Sequence, residues 1–132
     1  MGASDDVFEP ESFVSILDAI RNIFIKHDFD AQATEVAYLI DLAHLESPDF
    51  PNRLGGGMMW GSSGSVADSV DLRRSLAPVD AETERDGIEL MRLLIRLAEQ
   101  MKALGIASEG SEFVANAFRR GLDMLGTPEQ DQ

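Results

Sequence analysis

Apolar residues recur along most of this chain at the three- and four-residue spacing of a helix face, and nowhere with the every-other-residue alternation of a half-buried strand. Phe13, Ile16, Leu17, Ile20, Ile23 and Phe24 put one apolar face on a helix predicted over residues 10–26. Pro10 suits its first turn, where a missing N–H leaves no bond unmade. His27-Asp28-Phe29-Asp30 interrupts the pattern, and either aspartate is placed to cap a second helix. That helix carries Val36, Leu39, Ile40 and Ala43 to about residue 45. Tyr38 and Leu42 on its flank make it apolar round most of its circumference, so it is predicted to be central.

Asp80 is predicted to cap a longer helix whose first turns hold Glu82, Glu84 and Asp86, as the positive end of the helix dipole favours. Ile88, Met91, Leu94, Ile95, Ala98, Met101 and Leu104 give it a broad apolar face, opposite Arg85, Glu89, Arg92, Arg96 and Glu99. Gly105 reads as its left-handed cap, with Ile106 packing back. Ser108 or Ser111 opens a last helix faced by Val114, Phe118, Leu122 and Leu125 and stopped by Gly126-Thr127-Pro128.

Between these helices, residues 46–64 lack helix signals and are expected to be irregular. Ser47-Pro48-Asp49-Phe50-Pro51-Asn52 is turn chemistry, and a glycine-rich stretch with the only tryptophan follows. Loops this long in a compact domain are usually functional or disordered, and Met58, Met59 and Trp60 argue against disorder. Ser65 followed by Asp68 resembles a capping box, predicting a short third helix over about 66–76 that ends before Pro78. The expected fold is all-α: a single helical domain over residues 1–132, a bundle of about five helices, with an acidic arm at 1–9 and a polar tail at 127–132.

The chain carries 24 acids against 11 bases, a formal charge of −13, and no cysteine. Phosphate backbones and anionic membranes are repelled by such a surface, so neither nucleic acid nor a membrane is an expected partner. A basic protein is attracted. The alternative is that the charge serves only solubility. Lack of cysteine removes thiolate metal sites and disulfides and fits a reducing compartment. The acidic start has no apolar leader, and no apolar run reaches the ~20 residues of a membrane span, so the expected location is the cytoplasm.

Catalytic chemistry finds little support. Gly61-Ser62-Ser63-Gly64-Ser65 has the look of a nucleophile elbow but lacks the preceding strand. Asp41 and His44 share a helix face, yet a dinuclear carboxylate site needs that motif twice. The glycine loop could cradle an anion with Arg53 as its cation, but it lacks the Lys-Ser/Thr of a P-loop. No cofactor, metal or catalytic residue is expected. As a recognition element, the loop offers Arg53, Met58, Met59, Trp60, Ser62, Ser65 and Asp68. The same apolar residues could instead plug the bundle. Asp80, Glu82, Glu84 and Asp86 could dock onto a partner's arginines and lysines, or be a solvated helix start.

The segment Leu54-Gly55-Gly56-Gly57-Met58-Met59-Trp60-Gly61-Ser62-Ser63-Gly64-Ser65-Val66-Ala67-Asp68 resembles a signature, Gly-Gly-Met/Trp-Gly-x-Gly-Ser-x-x-Asp, of small bacterial helical proteins, some of them immunity-like companions of secreted toxins. The resemblance spans about residues 12–75, implies no catalytic residue, and has a shorter loop than this chain. Acidity, small size, the lack of catalytic groups and the aromatic glycine loop together lead to the expectation of an immunity-type inhibitor that occludes a basic toxin or effector. The alternatives are a small-ligand or anion-binding protein using the loop, and a homo-oligomer, at its simplest a homodimer, paired through the apolar face of residues 88–104.

Overall fold

The structure, a computed structural model, describes residues 9–61, 63–72 and 80–125. All regular structure among them is helical: α1 (Val14–Lys26), α2 (Asp30–His44), α3 (Phe50–Leu54), α4 (Gly57–Trp60), α5 (Ala81–Ala103) and α6 (Glu109–Met124). Short 3-10 turns lie at Pro10–Phe13 and Ala67–Ser69. The all-α bundle expected from the apolar spacing is the fold observed. No described helix is long and apolar enough to cross a membrane.

Contacts between helix ends fix the directions. His44 at the end of α2 meets Glu11 at the start of the bundle, Nδ1 to Oε2 at 2.7 Å, so α1 and α2 are antiparallel. Gln100 near the end of α5 donates to the Ser12 carbonyl at 3.0 Å. At the other end, Lys26 of α1 bridges Glu82 and Asp86 of α5, so α5 also runs against α1. Arg119 of α6 pairs with Glu99 of α5.

The core lies where the predicted faces meet. Phe13, Leu17, Ile20 and Phe24 come from the first segment, and Val36, Leu39 and Ala43 from α2. Leu90, Leu94, Leu97 and Met101 of α5 complete the set, and none of these exposes surface. Of the apolar face read over residues 88–104, Leu94, Ile95, Ala98 and Met101 are buried, whereas Ile88, Met91 and Leu104 are only partly covered. On α6 the expected face holds for Val114, Phe118 and Leu122, whereas Leu125 just beyond the helix stands exposed.

Helix ends show how local sequence stops each rod. At Gly105 (φ 80°) the N–H groups of Gly105 and Ile106 donate back to Lys102 and Met101, the Schellman closure expected there. Asp28, a candidate cap for α2, instead makes the same closure at the end of α1. There Phe29 N–H reaches the Phe24 carbonyl at 2.9 Å and the two rings stand 6.0 Å apart. Asp80 Oδ1 accepts from Thr83 N–H at 2.7 Å, as predicted. Ser108 and Ser111, read as alternatives, act together: each hydroxyl accepts the other's backbone N–H.

The third closure falls on Glu46, an exposed residue held at φ 52° at the end of α2. A side chain in this left-handed region carries a steric cost that glycine avoids. Glu46→Gly is therefore expected to raise stability by about 0.5–1 kcal/mol, less than the full steric cost because glycine also loosens the unfolded chain. Urea denaturation of the two proteins checks it; a loss of stability would show that Glu46 holds the turn through its side chain.

Candidate functional site

The glycine-rich segment is more ordered than expected. In place of an irregular loop over 46–64 it forms α3 and α4, each about one turn long. Pro51 sits at the start of α3 and Gly55 just past its end. The apolar residues supply the physical reason: Phe50 and Leu54, four apart, share one face, and both are fully covered. Phe50 packs on Phe13 with ring centroids 5.7 Å apart. Gly55, Gly56 and Gly57 turn the chain so that Met59 and Trp60 follow them inward.

Trp60 is 5% exposed, and its indole N–H donates to the Leu54 carbonyl at 2.8 Å. Met59 is fully covered. Both were candidates for partner contact; they are core plugs instead, and of that trio only Met58, 49% exposed, faces solvent. Ser65 is likewise buried, its hydroxyl accepting from Asp68 N–H at 3.2 Å. Asp68 answers by accepting from Gly64 N–H at 2.9 Å, one residue earlier than a standard capping box. Gln32 of α2 donates to the Gly64 carbonyl at 3.0 Å and pins the loop to the bundle. Ser62, also a candidate, lies outside the described residues. The helix expected over 66–76 is a single 3-10 turn within the described residues. It gives way at Leu72, which takes φ 56° with its side chain buried; residues 73–76 lie outside the described set.

Arg53 is committed inside the molecule. Its Nε and Nη2 donate to the two carboxylate oxygens of Glu35 at 2.8 and 2.6 Å, and its guanidinium lies 5.0 Å from the centre of the Tyr38 ring. Hydrogen bonding to Glu35 raises the Arg53 pKa further above its already high value. A guanidinium neutralised in this way is a poor cation for an anion cradle. Glu35 was not singled out from sequence. No local signal marks it, because Asp41 lies in the same apolar stretch of α2 and is exposed.

Arg53→Ala leaves the Glu35 carboxylate, 7% exposed, without its partner. The expected loss is about 2 kcal/mol, below the usual range for buried pairs because Arg53 is itself 41% exposed. Adding Glu35→Gln to Arg53→Ala is expected to recover much of it, since a neutral amide is cheaper to bury. Thermal unfolding of the single and double variants distinguishes this from lost Arg53 packing, in which case the second change recovers nothing.

The acidic start of α5 is also partly used up. Asp80 serves as the cap. Lys26 Nζ lies 2.5 Å from Glu82 and 2.8 Å from Asp86, and His27 Nε2 meets Asp86 at 2.8 Å. The expected docking patch of four carboxylates is therefore largely a clasp between α1 and α5, with Glu84 left facing solvent. Hydrogen bonds from Lys26 and then His27 hold the Asp86 carboxyl below its ordinary range, and the Thr83 backbone N–H does the same for Asp80. A depressed carboxyl stabilises the fold above its unfolded pKa, and that contribution disappears as pH falls through the folded value. Stability is expected to decline as pH drops below about 4, with a shallower decline in Asp86→Asn. Denaturation midpoints across an acid series check this; identical slopes would remove Asp86 from the account.

A groove open to solvent lies between the glycine loop and α6. Position 110 must be small: a Cβ there would stand 3.1 Å from Trp60 Cβ, so Gly110 lets the first turn of α6 settle on the tryptophan. Two adjoining cavities of about 810 and 420 Å³ run along this seam and share Trp60, Gly61, Phe113 and Val114 in their walls. Phe113 stands on the rim, 72% exposed. It sits beside the apolar face of α6 read from sequence, so periodicity passed over it. Among the described residues, the charged side chains lining the two cavities are Asp68, Glu109 and Glu112, with no lysine or arginine.

No family model, curated protein or solved structure matches this chain. Among the described residues no three His, Asp or Glu side chains converge as metal ligands, and His44, which shares a helix face with Asp41, is engaged by Glu11.

Proposed function

We propose that this chain is an acidic binding protein that neutralises a basic protein partner by occlusion, as a bacterial immunity protein neutralises a toxin. The observation that carries the reading is the uneven placement of charge. Residues 1–72 hold 13 acids and only three bases, and so supply −10 of the total −13. Those three bases, Arg21, Lys26 and Arg53, each pair with a carboxylate of the same chain. This half of the molecule therefore offers a partner carboxylates and no uncommitted cation. Residues 73–132, with 11 acids and eight bases, are close to balanced.

The surplus of carboxylates speeds the approach of a cationic protein. Occlusion needs only that the bound chain cover the partner's working surface, so no catalytic residue of its own is required. The glycine-loop resemblance to small bacterial immunity-like proteins points the same way, and the cytoplasm is the compartment where such a protein would guard its own cell. The anion-cradle alternative loses its motive with Arg53 tied to Glu35.

A selection tests the proposal. Reading frames of the source genome are expressed one by one, with and without this chain. At least one frame is expected to stop growth alone and to be tolerated when this chain is present, and its product is expected to be basic. Association of the purified pair is expected to slow about tenfold or more between 50 and 500 mM salt. Rescue confined to neutral or acidic products, or no rescue at all, refutes it.

A further inference from the structure

We infer that the groove between the glycine-rich loop and α6 is the docking site, and that it takes a basic amphipathic segment whose apolar side chains anchor beside Phe113. The inference rests on the basic-partner reading above and specifies where and how that partner is held.

Two properties of the groove set the chemistry of its occupant. Its walls are apolar where they are deepest, with Trp60, Val114 and Phe118 contributing. Phe113 stands above them with most of its ring in water. A large aromatic ring left this exposed at a cavity mouth loses little by burial against a partner and gains contact area, which is how aromatic anchors act in interfaces. The rim is of one sign, Asp68 on the loop side and Glu109 and Glu112 on the helix side. An occupant must therefore bring apolar side chains to the seam and cations to its edges.

Charge excludes the occupants nearest to hand. The chain's own ends, residues 1–8 and 126–132, carry acids and no base, so the rim repels them. A second copy brings another −13. A basic segment of a partner protein, with cations flanking its apolar side chains, meets both requirements. A helix with apolar residues three and four apart, flanked by lysine or arginine, matches a seam bounded on one side by α6.

Trp60, the only tryptophan, lines both cavities and so reports occupancy by its own fluorescence. The probe is a helical peptide of about 14 residues built from leucine at helix-face spacing and lysine elsewhere, against a scrambled peptide of equal charge. The amphipathic peptide is expected to change Trp60 emission saturably at low salt, and the scrambled one to bind more weakly. Phe113→Ser is expected to weaken binding about tenfold or more while leaving the helical circular dichroism unchanged, since the ring supports no core contact. Glu109→Gln with Glu112→Gln is expected to weaken it at low salt, the difference closing as salt rises. Peptide binding that is indifferent to Phe113→Ser and silent at Trp60 overturns the groove as the site while leaving the basic-partner reading intact. No binding of the amphipathic peptide at low salt also overturns the groove. Failure of the genome selection described above would remove the parent reading instead.

Discussion

The indole N–H of Trp60 meets the carbonyl of Leu54, and this bond turns the glycine-rich segment from a surface loop into part of the core. A buried indole without an acceptor would carry an unsatisfied donor at a cost of about 1–3 kcal/mol. The carbonyl that answers it comes from six residues earlier, across the turn between α3 and α4. Once the ring is inside, Val66 N–H bonds to the Met58 carbonyl, Gln32 holds Gly64, and Gly110 brings α6 down onto the tryptophan. The segment that links the early helices to the late ones is thus held from three directions.

The long helices were legible because each has enough turns for its apolar face to repeat. Phe13 to Phe24 on α1 is the clearest case, and Asp80, Gly105 and Ser108 announced their helix ends through chemistry that acts within three residues. The short helices were not legible, since a helix of four or five residues shows one turn of a pattern that needs several to be recognised. Asp28 misled because a short carboxylate suits a helix start and also tolerates the left-handed conformation of a helix stop. Pairings distant in sequence were out of reach: nothing near Glu35 announces Arg53, and nothing near Lys26 announces Glu82 and Asp86. Of the candidate residues, Asp68 lines the groove while accepting from Gly64 N–H. Trp60 was identified, and it is nearly buried, lining the groove from beneath. Phe113 was missed because it flanks the face that periodicity identifies.

Charge acts on this molecule in two opposed ways. A surplus of carboxylates repels itself in the folded state, and the few cations of the first half are spent where they relieve that repulsion between elements: Lys26 between α1 and α5, Arg53 between α2 and α3. Dissolved ions screen what remains. The same ions screen the attraction between the acidic surface and a cationic partner. Higher ionic strength therefore favours the isolated fold and disfavours the complex, and the two effects have a common origin in the −13 charge.

The groove is layered, and the layers answer to different demands. Its floor is Trp60, which the bundle requires for its own cohesion. Its lip is Phe113, Glu109 and Glu112, side chains that stand in solvent and on which the core does not depend. Recognition written on such a lip is free to drift without endangering the scaffold beneath it. A lineage of such proteins could exchange the aromatic ring for another anchor, or move a carboxylate along α6, and acquire a new adversary while folding as before. Under the proposed function, that separation of durable frame from replaceable edge is what would let a small protein follow a changing partner.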